Sequence, residues 1–248
     1  MIPFVVGVLL MQAVQATPPA PIAVPFAVGE SFEYGAKFGT FGFNVGEATL
    51  KVVGIDTVRG VPSWHLSLIE NASALIGLYN NQTRLESWAG TRDLVSRRFV
   101  HWVKERGKQI ADDDFQIFGD SGYYRNRTEA ATKPTPADPL DDLTFVYYLR
   151  TMELKVGETY TLPRYFRADH NPVTVTVVKH DSIDMPEGNR CYCLLLHPVV
   201  DEPNGLFSKK ADAKLWLTDD GLRIPVQIQS STGFGDVTLK LRKITSRQ

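Results

Sequence analysis

Residues 213–228 read Ala213-Lys214-Leu215-Trp216-Leu217-Thr218-Asp219-Asp220-Gly221-Leu222-Arg223-Ile224-Pro225-Val226-Gln227-Ile228. Ala213, Leu215 and Leu217 share one side of a two-residue period, Asp219-Asp220-Gly221 supplies turn chemistry, and Leu222, Ile224, Val226 and Ile228 resume the apolar side. The stretch predicts a β-hairpin of two amphipathic strands. Its landmarks return in the first half of the chain, so the sequence speaks first to architecture and destination and only weakly to chemistry.

Short alternating runs fill the chain from Gly29-Glu30 onward. Phe32, Tyr34, Ala36 and Phe38 form one, Ala48, Leu50 and Val52 a second, and Trp64, Leu66 and Leu68 a third. Gly39-Thr40-Phe41-Gly42-Phe43, Asp56-Thr57 and Arg59-Gly60-Val61-Pro62 lie between them and carry turn residues. Further runs at Thr83 to Trp88, Val95 to Val103, Phe115 to Phe118 and Tyr123 to Arg127 complete a first half of about six antiparallel strands.

Residues 129–156 differ. Ala130 to Pro136 reads as a linker, and Asp138-Pro139-Leu140-Asp141-Asp142-Leu143 predicts a helix start. Asp138 can cap, Pro139 suits the first helical position, and Asp141 and Asp142 face the positive end of the dipole. The helix then runs through Phe145, Val146, Tyr147, Tyr148, Leu149 and Met152, apolar nearly all round, which predicts burial.

The second half repeats the first at an offset of 128 positions: residues 29–98 laid on 157–226 without a gap give 14 identities in 70. Gly29-Glu30 matches Gly157-Glu158, Gly77-Leu78 matches Gly205-Leu206, Trp88 matches Trp216, and Tyr79 faces Phe207. An internal duplication joined by the helix is the expectation. The predicted fold is all-β and mainly antiparallel, a curved sheet or barrel built from two duplicated β units and one buried helix. The boundaries are 1–16 signal peptide, 17–28 extended lead-in, 29–128 first unit, 129–156 linker and helix, and 157–246 second unit.

Composition bounds the function. Apolar residues make up 43% of the chain, as in a folded protein, and 27 Lys plus Arg stand against 28 Asp plus Glu. Nothing in that balance favours nucleic acid or an anionic membrane surface. Phe4 to Met11 is an apolar core of signal-peptide length, and Val14-Gln15-Ala16 suits a cut after Ala16, although no Lys or Arg precedes the core. The run is far short of the roughly 20 residues that a membrane span needs. A periplasmic or secreted protein with no transmembrane segment in its mature chain is expected.

Two stretches carry a family resemblance. Asp138-Pro139-Leu140 leading to Tyr147-Tyr148-Leu149-Arg150, and Trp216 through Val226, resemble the domain of unknown function 3108 family. The resemblance implies an exported bacterial protein, mainly β, with no established activity and a shape similar to periplasmic lipoprotein carriers. Ser96-Arg97-Arg98, where the second copy has Ile224-Pro225-Val226, departs from strict equivalence of the two hairpins.

Residues that could carry chemistry form no recognised catalytic pattern. Cys191 and Cys193 share one strand face and are expected as buried, reduced thiols, since such a pair is poorly placed to bond to itself in a regular strand. With His197 they share parity, yet residues spread along one straight strand do not converge on an ion, so no metal site and no cofactor is expected. His65, His101, His170 and His180 fall in no metal-binding pattern, and no Gly-x-Ser-x-Gly elbow is present. Asp112-Asp113-Asp114 reads as a solvated turn or bulge, not a calcium loop. Asn71, Asn81 and Asn126 head glycosylation sequons, relevant only in a eukaryotic secretory route.

Apolar loops are the remaining signal. Ala72 to Tyr79 is too apolar for an ordinary loop, and Gly205-Leu206-Phe207 occupies the matching place. Leu78, Tyr79, Trp88, Leu206, Phe207 and Trp216 are the candidate ligand-binding residues, around the mouth of a cavity for a lipid or acyl chain. The same residues could instead close the barrel ends. The readings are thus a non-catalytic periplasmic protein binding a hydrophobic ligand in envelope upkeep, an envelope scaffold or interaction module with a filled core, and a hydrolase whose residues meet only in space.

Overall fold

The computed structural model describes residues 20–39, 42–74, 79–185, 188–202, 207–232 and 235–245, and the side chains of residues 74, 79 and 232 are outside that description. The signal-peptide expectation for residues 1–16, and Leu78 and Leu206, lie outside the described residues.

The fold is mainly antiparallel β around one helix. The first half contains β1 (Ser31–Phe38), β2 (Phe43–Val58), β3 (Val61–Ala74), β4 (Tyr79–Gly90), β5 (Ser96–Glu105), β6 (Lys108–Phe118), β7 (Tyr123–Asn126) and the two-residue β8 (Lys133–Pro134). Then come α1 (Asp142–Leu149), β9 (Thr159–Leu162), β10 (Val173–Asp184), β11 (Arg190–Val199), β12 (Lys214–Thr218), β13 (Pro225–Thr232) and β14 (Gly235–Thr245). They form one 14-stranded sheet in the order β8-β7-β6-β5-β4-β3-β2-β1-β14-β13-β12-β11-β10-β9. The first and last strands of the second half thus take different places: β14 pairs with β1 and joins the halves, while β9 is left at one end of the sheet and β8 at the other.

Alternation built the strands. Phe32, Tyr34 and Ala36 of β1, Ala48, Leu50 and Val52 of β2, and Leu66 and Leu68 of β3 are all buried, in the period read from the sequence. Arg59-Gly60 closes the β2–β3 hairpin, with both residues at positive φ (48° and 81°), the turn whose twist matches the flanking strands. Asp56-Thr57, expected as a turn, therefore lies inside β2. In the quoted hairpin, Leu215 and Leu217 face inward with Val226 and Ile228. Leu222 does not join them: it is 52% exposed in the turn, and the ladder resumes only at Pro225. The turn is held by Asp220 Oδ1, which accepts from the amides of Leu222 and Arg223 and from the Thr218 hydroxyl.

The helix is buried as expected but starts later. Asp141, not Asp138, is its cap, and its carboxylate accepts from the amides of Leu143 and Thr144. Asp138-Pro139-Leu140 is spent elsewhere: the Pro139 carbonyl accepts from the Ser96 amide, and Leu140 bridges to residues 164–166. Leu143, Phe145, Val146, Tyr147 and Leu149 lie in a single apolar core with side chains of β1 to β6 and β9 to β14. The lead-in joins that core too, with Phe26 edge-on to Trp64 at 5.3 Å and Tyr147 at 5.0 Å.

Candidate functional site

The two ends of the sheet meet at a seam without a strand ladder between them. On one side stand β6 and β7, and on the other the segment 164–172 that follows β9. Residues 138–141 stitch them: the Leu140 amide donates to the Arg164 carbonyl at 2.6 Å, the Phe166 amide to the Leu140 carbonyl at 3.0 Å, and the Asp141 amide to Ser96 Oγ at 2.8 Å. Asn171 pins the far segment by accepting from the Tyr165 amide and donating to its carbonyl, both at 2.8 Å.

Aromatic side chains seal the inner side. Phe166 is wholly buried and packs on Phe99, Phe115, Tyr124 and Tyr165, with ring centres 5.9, 5.3, 5.1 and 5.1 Å away. The Arg167 guanidinium lies 5.2 Å from the ring centres of both Phe115 and Phe166 and is ion-paired to buried Glu202. Beneath it Asp142 accepts from the Tyr165 hydroxyl at 3.3 Å, and burial, then the charges of Glu202 and Asp141, push its carboxyl up to about 7.

Above this layer is a cleft of about 280 Å³ lined by Asp113, Phe115, Tyr124, Asn126, Arg167 and His170 among others. Asp113 accepts from Asn126 Nδ2 at 2.8 Å and stands 3.6 Å from His101 Nδ1. Burial lowers the His101 pKa despite the pull of Asp113. His170 Nδ1 is bonded to the Asp201 carbonyl, while Nε2 is 3.7 Å from Asp169 and 3.9 Å from Glu202. The lining is polar and of both signs. Its charged side chains, the Asn126 amide and His170 can recognise a polar group through charge and hydrogen bonds.

Of the candidate ligand-binding residues, Trp88, Trp216 and Phe207 do not line this cleft. Trp88 and Trp216 each lie on the sheet face opposite the inward Leu85–Ser87–Ala89 and Leu215–Leu217 sets. Trp88 Nε1 donates to Asp56 Oδ2 at 2.8 Å, with His65 stacked on the ring at 4.5 Å, and Trp216 Nε1 donates to Asp181 Oδ2 at 3.0 Å. Phe207 is 1% exposed and packs edge-on against Phe145 of α1 at 5.3 Å. Tyr79 opens β4, opposite Ala74.

Two further expectations change. Cys191 and Cys193 are joined as a disulfide, not left as thiols: β11 brings their Cα atoms to 5.8 Å, inside the span such a bond accepts. His197 is instead 3.1 Å from Asp212. Asp112-Asp113-Asp114 is no solvated turn but lies inside β6, where Asp114 accepts two hydrogen bonds from Arg98 and one from Arg127. Among the described residues no group of three or more His, Cys, Asp or Glu could hold a metal ion, and no helix is long and apolar enough to cross a membrane. Sequence reading missed the seam because its parts come from residues 96–142 and 164–202. Asp138 to Asp142, His101, Asp113 and His170 had each been marked, but singly and for other roles.

Comparison with known proteins agrees with this fold. Residues 33–242 match the family model described as protein of unknown function, DUF3108. A β-barrel-like protein of domain of unknown function DUF1849 from Brucella abortus is 10% identical and superimposes with a TM-score of 0.59, over 91% of this chain and 100% of its own. A candidate exported protein with a YmcC-like fold from Bacteroides fragilis gives a TM-score of 0.31 at 10% identity, over 92% of this chain and 100% of its own. None of the curated proteins matches the chain.

Proposed function

We propose a role for this chain on the premise that it belongs to the DUF3108 family of proteins of unknown function: it is a non-catalytic binding or scaffold module that works outside the cytoplasm, with a filled core and a partner met at its surface. The observation that carries this reading is the occupied inner face of the sheet. Helix α1 packs its apolar side chains there, Phe207 and Phe166 close on Phe145 and on the β5–β7 aromatics, and the whole forms one continuous core. A lipid inside the curved sheet would have to displace these side chains, each worth a few kcal/mol of burial.

Export is supported by the apolar segment Phe4–Met11 and by the Cys191–Cys193 bond, a pairing that persists in oxidising compartments. The seam cleft is the concavity we assign to the partner, because it is polar, held by buried groups and built from both sheet ends.

The reading includes an origin in two copies of one β unit, residues 29–128 and 157–246. Matching details support it. Gly29 donates to the Val52 carbonyl at 2.9 Å, and Gly157 to the Val177 carbonyl at 2.8 Å. Register slips at Val52/Gly54 and Val177/Lys179, and again at Trp88/Ala89 and Trp216/Leu217. With one more residue between Trp216 and Pro225 than between Trp88 and Ser96, the ladder counterpart of Ser96-Arg97-Arg98 is Pro225-Val226-Gln227, one position beyond the 128-residue offset.

Native mass spectrometry of the mature protein from its own envelope, followed by organic extraction, tests the proposal. The expected result is a protein without stoichiometric lipid that takes up none when lipid is added. A bound lipid that is lost in Leu78→Asp and Leu206→Asp variants of intact fold would replace this reading with that of a carrier whose apolar loops receive an acyl chain.

A further inference from the structure

The outer face of β5 to β7 carries a concentration of positive charge, of which Arg125 also lines the seam cleft. Asp114, Gln116 and Phe118 of β6 point outward, since Phe115 and Ile117 between them are buried. Arg98 of β5 and Arg125 of β7 both stand opposite Gln116 in the ladder. Arg59 reaches over from the β2–β3 turn, and Arg127 from just past β7. Together they line a groove of about 730 Å³ that holds four arginines and one carboxylate, Asp114. The chain as a whole has a net charge of −1, so this is a local excess, not a reflection of composition.

The four guanidiniums are not equivalent. Arg98 and Arg127 share Asp114, at 2.8–2.9 Å. Arg59 and Arg125 have no carboxylate within 4 Å among the described residues; the nearest negative charge that acts on Arg59 is the more remote Asp120. Arg59 is fixed by the carbonyls of Arg97 at 3.0 Å and Ile117 at 2.5 Å and lies 4.2 Å above the Phe118 ring. Arg125 donates to Gln116 Oε1 at 2.8 and 3.0 Å and lies 5.8 Å from the same ring. Two immobilised, uncompensated forks thus converge on one aromatic side chain. Burial, then the neighbouring charges of Arg97 and Arg125, lower the Arg59 pKa, the response of a cation that lacks its counter-ion. In the second half neutral Gln227 holds the ladder position opposite Trp216 that Arg98 holds opposite Trp88.

We propose that this groove binds a multiply charged oxyanion of the phosphate type between Arg59 and Arg125 beside Phe118, supplied either as a free ion or on a lipid headgroup. Planar guanidinium forks match phosphate oxygens in pairs, and a dianion meets the groove's excess of about three positive charges better than a single carboxylate does.

Calorimetry with pyrophosphate and co-sedimentation with phosphatidylcholine vesicles doped with phosphatidic acid test it, in low and in physiological salt. Saturable pyrophosphate binding that weakens with salt supports the site as one for a free ion, while vesicle binding without it supports a headgroup. In either case Arg125→Gln, which gives up two hydrogen bonds to Gln116 and the contact with the Phe118 ring, weakens binding roughly ten- to a hundredfold, with circular dichroism confirming its fold. Arg59→Gln does the same, with circular dichroism confirming its fold. Binding of neither probe, or binding equal in the parent and both variants, overturns the proposal.

Discussion

Arg150 and Glu30 stand 120 residues apart and meet in a buried two-pronged ion pair, Nη1 to Oε1 at 2.6 Å and Nη2 to Oε2 at 3.0 Å. The guanidinium also donates to the Leu222 carbonyl at 3.2 and 3.3 Å and lies 5.4 Å from the rings of Phe26, Phe32 and Tyr147. One side chain therefore ties the end of α1 to the residue just before β1 and to the turn between β12 and β13. Removing one partner strands the other charge, so Arg150→Met lowers stability by about 3–5 kcal/mol. Glu30→Leu combined with Arg150→Met recovers more than half of that loss in urea unfolding. A double variant as unstable as the single one would contradict the argument.

The cap of α1 is a second buried polar knot. Asp141 Oδ2 accepts from Ser87 Oγ at 2.6 Å and Thr144 Oγ1 at 3.1 Å, while Oδ1 takes the Leu143 and Thr144 amides. Asp141→Ala deletes the cap and leaves the buried Ser87 and Thr144 hydroxyls with less to bond. The expected loss is about 2–4 kcal/mol, against about 1 for an ordinary exposed cap. Denaturant midpoints of Asp141→Ala and Asp141→Asn give the comparison, with the amide variant expected to fall between.

Asp142 makes stability depend on pH. Its carboxyl is raised from 3.8 to about 7 by burial and by Glu202 and Asp141, with Arg167 and the Tyr165 hydroxyl opposing. The folded state thus holds this proton more tightly than the unfolded chain does. The contribution is complete below about pH 4 and is lost as pH rises toward 7, by roughly 2–4 kcal/mol. Asp142→Asn, which keeps an acceptor for Tyr165, should remove that slope and unfold at higher denaturant than the parent at pH 8. An unchanged slope between pH 4 and 7 would assign the dependence to other groups.

The pairing of Cys191 with Cys193 is checked by chemistry alone. These are the only two cysteines in the chain. Thiol titration of protein unfolded without reductant is expected to find no free thiol, and two after reduction. Two reactive thiols before reduction would return the pair to the state expected of a regular strand.

Much of the fold was legible because a strand with one buried face must alternate, and the sequence between Phe32 and Leu68 does so without interruption. The helix was legible for the same kind of reason, its apolar circumference matching its burial. Its start was misplaced because Asp138-Pro139 and Asp141-Asp142 are both good beginnings locally. What separates them is a non-local demand: Pro139 and Leu140 are needed for hydrogen bonds to Ser96 and residues 164–166. Trp88 and Trp216 align at the 128-residue spacing of the sequence, but parity alone does not say which face is the interior. The indole nitrogens settle on Asp56 and Asp181, and that holds the rings on the outer face.

By itself the sequence determined the class of the fold, the position of its one helix and the recurrence of landmarks at a spacing of 128, because period, turn residues and identities are local properties of the chain. Only the tertiary structure decided that α1 packs into the apolar core of the described residues, that the sheet ends meet at a seam, and that Arg59 and Arg125 converge on Phe118. Those facts depend on contacts between distant residues, such as Ser96 with Asp141 across 45 positions and Arg59 with Ile117 across 58, and the energies that select among such contacts come from packing and desolvation, which have no signature in a linear pattern.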